Sequence, residues 1–218
     1  MTTPQPALGR PSRITLEGRY VRLEPLAPEH AADLYAASSA ADAEERFRYL
    51  FEPAPTSPSD MDEWVHRTHV LDDPLMFAVI DRASGRARGR QALMRIVPEH
   101  GVIEAGAIYW GPDLARSRGA TEALYLFARH VFDDLGYRRF EWKCNNLNEP
   151  SKRAARRFGF AYEGLFRQHM IVRGESRDTA WFSMLDGEWP DRRLGFERWL
   201  DEDNFDEHGQ QLSRLAFD

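Results

Sequence analysis

The stretch from Gly101 to Phe160 decides the fold. It runs from an apolar segment, Val102-Ile103-Glu104-Ala105-Gly106-Ala107-Ile108-Tyr109-Trp110, through the basic loop Arg116-Ser117-Arg118-Gly119-Ala120-Thr121, to a long segment ending near Leu135. Ala120, Leu124, Phe127, Val131 and Leu135 follow one another at spacings of four, three, four and four, which predicts one apolar stripe of a helix with Gly136 as its stop. Arg138–Cys144 then alternates, with Phe140, Trp142 and Cys144 on one side and Arg139, Glu141 and Lys143 on the other, as a strand does. A loop through Asn148 opens a second, shorter helix over Pro150–Phe158. A basic, Gly-containing loop at a helix start gathers backbone N–H groups and the positive helix end where a polyanion can sit.

Working outward, Leu75–Asp81 and Arg90–Val97 read as strands joined by a turn at Ser84-Gly85. With Val102–Trp110 they form an antiparallel meander, the arrangement short links favour. Ile14–Leu26 reads as an extended hairpin turning at Gly18. A helix follows from Pro28 to about Ser38, and another opens near Ser59-Asp60 with Met61, Trp64 and Val65 on one face. The intervening Arg46–Pro58, rich in aromatics and proline, reads either as a functional loop or as plain packing. Toward the C-terminus, strands Phe160–Val172 and Thr179–Leu185 flank a polar turn, Arg173–Asp178, and a helix spans about Asp191–Leu200 before the acidic Asp201–Glu207. The expected organisation is a loose segment 1–11, one domain over 12–186 and a helical, acidic appendage over 187–218.

The 218 residues, 42% of them hydrophobic, suffice for a substantial core. No run approaches the roughly 18 apolar residues of a membrane helix, and Met1–Pro11 has no apolar signal core. One cysteine, Cys144, excludes an internal disulfide and makes a cysteine-built metal site a poor reading. A net charge of −6 argues against general nucleic-acid binding. The expectation is a cytoplasmic protein, monomer or homodimer, without nucleic-acid or membrane partners and without metal.

Together Arg116–Ala123, Leu135–Arg139, Asn148-Glu149-Pro150-Ser151 and Phe158-Gly159-Phe160 resemble the Gcn5-related N-acetyltransferase (GNAT) superfamily, within it the branch of ribosomal-protein alanine acetyltransferases. The resemblance covers about residues 12–186. It implies an α/β (α+β) fold, a mixed and mostly antiparallel sheet flanked by helices, with the strands at Val102–Trp110 and Arg138–Cys144 splaying apart. It further implies acetyl-CoA as co-substrate and a primary amine of a protein N-terminus or small molecule as acceptor. The superfamily loop consensus is Q/R-x-x-G-x-G/A; Arg116 and Gly119 fit it, but Thr121 stands at the last small position, and the loop is one residue shorter than the common form.

On that resemblance, Arg116, Ser117, Arg118, Gly119, Ala120 and Thr121 hold the pyrophosphate, and backbone near Ile108–Trp110 with Asn148 holds the pantetheine arm. Ser151 protonates the leaving thiolate. The acceptor lies against Arg46–Pro58 and the Arg167–Thr179 region. Glu104, a carboxylate within an apolar strand, is either turned to solvent, paired, or facing a cleft as general base, with Gly106 leaving room beside it. Cys144 reads as a core thiol and His66/His69 as a surface pair. A non-catalytic acyl-CoA binding or sensing module is the alternative function.

Overall fold

The computed structural model describes residues 5–217. Its centre is an eight-stranded sheet of order β1-β2-β3-β4-β5-β6-β8-β7, in which only β5 and β6 run parallel. The strands are β1 (Leu16–Glu17), β2 (Val21–Pro25), β3 (Leu75–Asp81), β4 (Arg86–Val97), β5 (Val102–Trp110), β6 (Arg139–Asn145), β7 (Ala161–Val172) and β8 (Glu175–Leu185). Helices α1 (Ala31–Ser38), α2 (Ala43–Phe47) and α3 (Pro58–Thr68) precede β3. Helix α4 (Arg118–Arg129) links β5 to β6, α5 (Glu149–Arg157) follows β6, and α6 (Trp189–Leu200) follows β8.

The sheet is covered on both faces, and β3 shows it in one strand. Leu75, Phe77 and Val79 enter the larger core, while Met76, Ala78 and Ile80 enter a second core with Leu34 of α1 and Val65 of α3. This is why β3 reads as an unbroken apolar run instead of an alternating one.

Helix α4 departs from a single apolar stripe. Residues from Gly119 to Ala128 are all buried, because α6 lies against the flank that the stripe leaves open. Tyr125 donates to Glu197 at 2.9 Å and its ring sits 5.7 Å from that of Phe196. Trp189, Phe196, Trp199 and Leu200 thereby join the main core, so the stretch expected as an appendage supplies part of it. The α-helix ends at Arg129 and continues as a π-turn over His130–Asp134 before Gly136 at φ +66°. Residues 1–4 of the segment expected to be loose lie outside the described residues. From Ala7 it is tied down, by Ala7 N–H to Pro98 O at 3.0 Å, Leu8 N–H to Leu135 O at 2.9 Å, and Tyr137 OH to Gly9 O at 3.0 Å.

Two expected loops are more regular than their sequences suggest. The polar turn Arg173–Asp178 contracts to Arg173-Gly174, because β8 begins at Glu175. Residues 175–177 pair only with β7 and stand beyond the end of β6, which leaves Glu175 and Ser176 exposed while Arg177 turns inward. The Arg46–Pro58 loop begins inside α2, whose Phe47 packs on Tyr109 at 4.5 Å between ring centroids. Among the described residues no helix is long and apolar enough to cross a membrane.

On β6, Arg139 donates to Glu163 of β7 at 2.7 and 2.5 Å, and this holds the Glu163 carboxyl at about 2. A depressed carboxyl stabilises the fold above its ordinary value of 4.5 and loses that contribution as pH falls from 4.5 to about 2. The side chain is 39% exposed, so screening keeps the contribution small. Glu163→Gln is expected to flatten the fall of the urea midpoint across that window; an unaltered slope contradicts the pairing.

Candidate active site

β5 and β6 pair from Val102↔Arg139 to Ala105↔Trp142 and then part. Beyond that point β5 stays with β4, and β6 stays with β8. The divergence is fixed by a bulge. The β4–β5 register shifts between Arg90 and Ala92, and Ala107 takes φ +48°, a conformation non-glycine residues seldom adopt. Arg90, fully buried, donates to the Ala107 carbonyl at 3.1 Å, ion-pairs with Glu52 of the loop after α2, and lies 4.1 Å from the Trp64 ring centre. One side chain thus ties the bulge to the covering loop.

The cleft where the strands part has a volume of about 100 Å³, and Glu104, Ser151, Asn148 and Ile108 all line it. Glu104 is 4% exposed. Lys143 Nζ and Arg95 Nε approach its Oε2 at 3.0 and 3.1 Å, without hydrogen-bond angles. Lys143 also meets Glu141 at 2.6 Å and lies 3.8 Å from the Trp181 ring centre. Burial pushes the Glu104 carboxyl above its ordinary value, against the pull of these cations. Of the options open in the sequence, Glu104 is both paired and cleft-facing. Gly106 does leave room beside it: an added Cβ there would collide with Met94 Sδ and lie 3.4 Å from Glu104 Oε1. Because Lys143 draws the Glu104 carboxyl down, Lys143→Met is expected to raise its titration further. The acid limb of any rate it controls would move to higher pH, and a fixed limb would show that the two groups are not coupled.

Across the cleft, Asn148 caps α5, its Oδ1 accepting the Ser151 N–H at 3.0 Å. Ser151 Oγ accepts from Trp142 Nε1 at 3.0 Å, and its hydroxyl also lies against the Cys144 thiol. Cys144 is buried nearby, and burial raises its thiol above the usual range, which opposes thiolate chemistry. His66 and His69 each place Nδ1 against carbonyls of their own helix.

The loop before α4 reaches the helix through Arg116 at φ +63°. Ser117 caps α4, its Oγ accepting the Ala120 N–H at 3.2 Å and its carbonyl the Thr121 N–H at 3.4 Å. Arg118 and Gly119 then carry the first-turn N–H groups that a helix leaves without its own acceptor. Gly119 has a packing reason as well, since a Cβ would come within 2.9 Å of Val21 Cγ1. Ala120 and Thr121 turn their side chains inward. Thr121 Oγ1 accepts from Arg157 at 3.0 Å, which ties the end of α5 to α4. Arg116 is exposed, and Arg118 lies 4.3 Å from the Tyr20 ring centre. Trp110 donates to buried Gln91 at 3.2 Å.

Lys143, Arg90, Arg177 and Glu122 carry much of the site's electrostatics without having been singled out in the sequence. The alternation of β6 put Lys143 on the face opposite Trp142, but nothing local tells whether that face meets solvent or a cleft roof.

A sheet whose one parallel pair opens at a bulge, with a capped helix start beside the opening, is the α/β arrangement that the sequence resemblance implied. The Acetyltransferase (GNAT) domain family matches residues 21–161, and the chain belongs to that family. A GCN5-related N-acetyltransferase from Brucella melitensis is 56% identical over 96% of this chain and 95% of its own, with a TM-score of 0.94. A probable GNAT-family acetyltransferase from Chromobacterium violaceum is 36% identical over 87% and 97%, with a TM-score of 0.79. The microcin C7 self-immunity acetyltransferase MccE, solved with acetyl-CoA and AMP, shares the fold at 20% identity over 77% and 93%, with a TM-score of 0.68. No curated protein matches the chain. The protein is an acetyltransferase whose acetyl donor is acetyl-CoA.

Proposed function

We propose that the protein moves the acetyl group of acetyl-CoA to a primary amine, of a protein N-terminus or a small molecule, by direct attack within a ternary complex. The observation that carries this reading is Glu104, a buried carboxylate with a raised titration point where β5 and β6 part. A base so placed draws a proton from an ammonium entering the cleft, directly or through water. The splayed β5 edge near Ile108–Trp110 offers backbone groups to an extended pantetheine arm, and an N–H on that strand stabilises the developing oxyanion. The thioester supplies the electrophilic acetyl carbon, and Ser151 gives its hydroxyl proton to the departing sulfur. Arg116, Arg118 and the first turn of α4 take the pyrophosphate. The ribosomal-protein branch remains the reading of the sequence motifs.

Ser151→Ala is expected to lower kcat by roughly 10²-fold, the low end for general acid–base assistance. Acetyl-CoA affinity, measured by calorimetry, should stay nearly constant. Unchanged turnover removes Ser151 from the proton path. The reading as a whole is tested by acetyl-CoA-dependent thiol release with a panel of amines and N-terminal peptides, where silence with every acceptor would overturn it.

A further inference from the structure

Arg177 is a buried arginine with no carboxylate in contact, and Glu104 acts on it only at longer range. It is 7% exposed, and among the described residues its Nε has no hydrogen-bond partner and no carboxylate lies within 4.0 Å of its guanidinium. The Phe51 ring centre lies 5.5 Å from its central carbon. Burial lowers its titration point, yet a guanidinium keeps its charge at any working pH. A buried cation left alone is costly, and a partner brought by a ligand removes the cost.

The group lines the same cleft as Glu104 and also a wider mouth of about 360 Å³ beside it. Arg48 and Arg173 line that mouth with Glu175 as its carboxylate, and Arg173 donates to the Arg48 carbonyl at 2.5 Å. The cleft thus offers a carboxylate for an ammonium and, apart from it, an unpaired guanidinium in a basic rim.

Resting on the acceptor reading above, we infer that the acceptor amine carries an oxyanion, a carboxylate or a phosphate, and that Arg177 binds it while Glu104 faces the amine. Carboxylate and phosphate both match the planar fork of arginine. A polycation places a second positive charge against Arg177 instead, so polyamines and aminoglycosides are poor acceptors.

The test uses the full chain with acetyl-CoA and two acceptor series: amino carboxylates against their carboxamides, and aminoalkyl phosphates against the corresponding alcohols. In at least one series kcat/KM for the oxyanion member should exceed the neutral one by about tenfold or more, as a charge-assisted bond provides; the series that responds identifies the anion. Arg177→Gln should bring the pair within about threefold and leave acetyl-CoA affinity unchanged. No preference in the wild type, or one that survives in Arg177→Gln, overturns the inference.

A binding measurement keeps the question separate from turnover and from the folding of one variant. Inorganic phosphate and acetate, titrated against wild type, Arg177→Gln and Arg177→Lys by tryptophan fluorescence, should give a saturable change with at least one anion in wild type. That change should be weakened in Arg177→Lys and absent in Arg177→Gln. A flat wild-type response to both anions overturns the proposal. Thiol release without oxyanion preference defeats this inference alone, whereas no thiol release with any amine defeats the acceptor reading beneath it.

Discussion

Glu104→Gln is expected to lower kcat/KM by about 10²–10⁴-fold and to erase the acid limb of its pH profile. The sign follows from the chemistry. A base works deprotonated, so the wild-type rate rises with pH through the Glu104 titration, and burial places that rise above 4.5. Gln keeps the shape and a carbonyl near Lys143 and Arg95 but accepts no proton. Stability should change little or even increase, because removing the carboxylate also removes the buried charge. A variant that folds, binds acetyl-CoA and still shows the wild-type acid limb would move the base elsewhere in the cleft.

Glu122→Ala should be the most damaging change to stability. The carboxylate is 4% exposed and accepts three backbone N–H groups of the β1–β2 turn: Arg19 on Oε1 at 2.7 Å, and Tyr20 and Val21 on Oε2 at 2.6 and 2.8 Å. Alanine leaves these donors without that acceptor, the Val21 N–H in the core, and opens a void between α4 and the hairpin. A loss of about 3–5 kcal/mol follows, the range for breaking a buried charged interaction. For a chain of this size that lowers Tm by on the order of 10 °C. Glu122 stands one turn into α4, directly behind its N-terminal turn, so KM for acetyl-CoA should rise as well. Glu122→Gln, which keeps one acceptor oxygen, should cost less. A Glu122→Ala melt within 1–2 °C of wild type, about what a 0.5 kcal/mol surface change gives, would show that the turn is held by other contacts.

Local pattern was enough for the elements that carry the site. The unbroken apolar run of β3, the bounds of β5, and the helix stripe ending at Gly136 all follow from side-chain period and turn residues. Glu104 stood out as a carboxylate in an apolar strand, and the cleft gives that oddity a setting. What the sequence withheld is long-range. Glu122 sits inside a helical pattern as an unremarked acid until the β1–β2 turn, over a hundred residues earlier in the chain, brings three N–H groups to it. Lys143 looks like a solvated charge on an alternating strand and Arg177 like one in a polar turn, and only the covering loop around Phe51 and the strand divergence put them indoors. The reach of α6 onto α4 was hidden for the same reason, since a helix with mixed flanks does not announce its partner.

The central claim is direct transfer in a ternary complex at the opening between β5 and β6. It is tested most directly by initial rates over a grid of acetyl-CoA and amine concentrations, with intact-protein mass measured after incubation with acetyl-CoA alone. Intersecting reciprocal plots and an unmodified protein are predicted, because Cys144 is buried and its thiol is held above the usual range. Parallel plots together with a protein one acetyl group heavier at Cys144 would contradict the account, since they are the signature of a covalent intermediate.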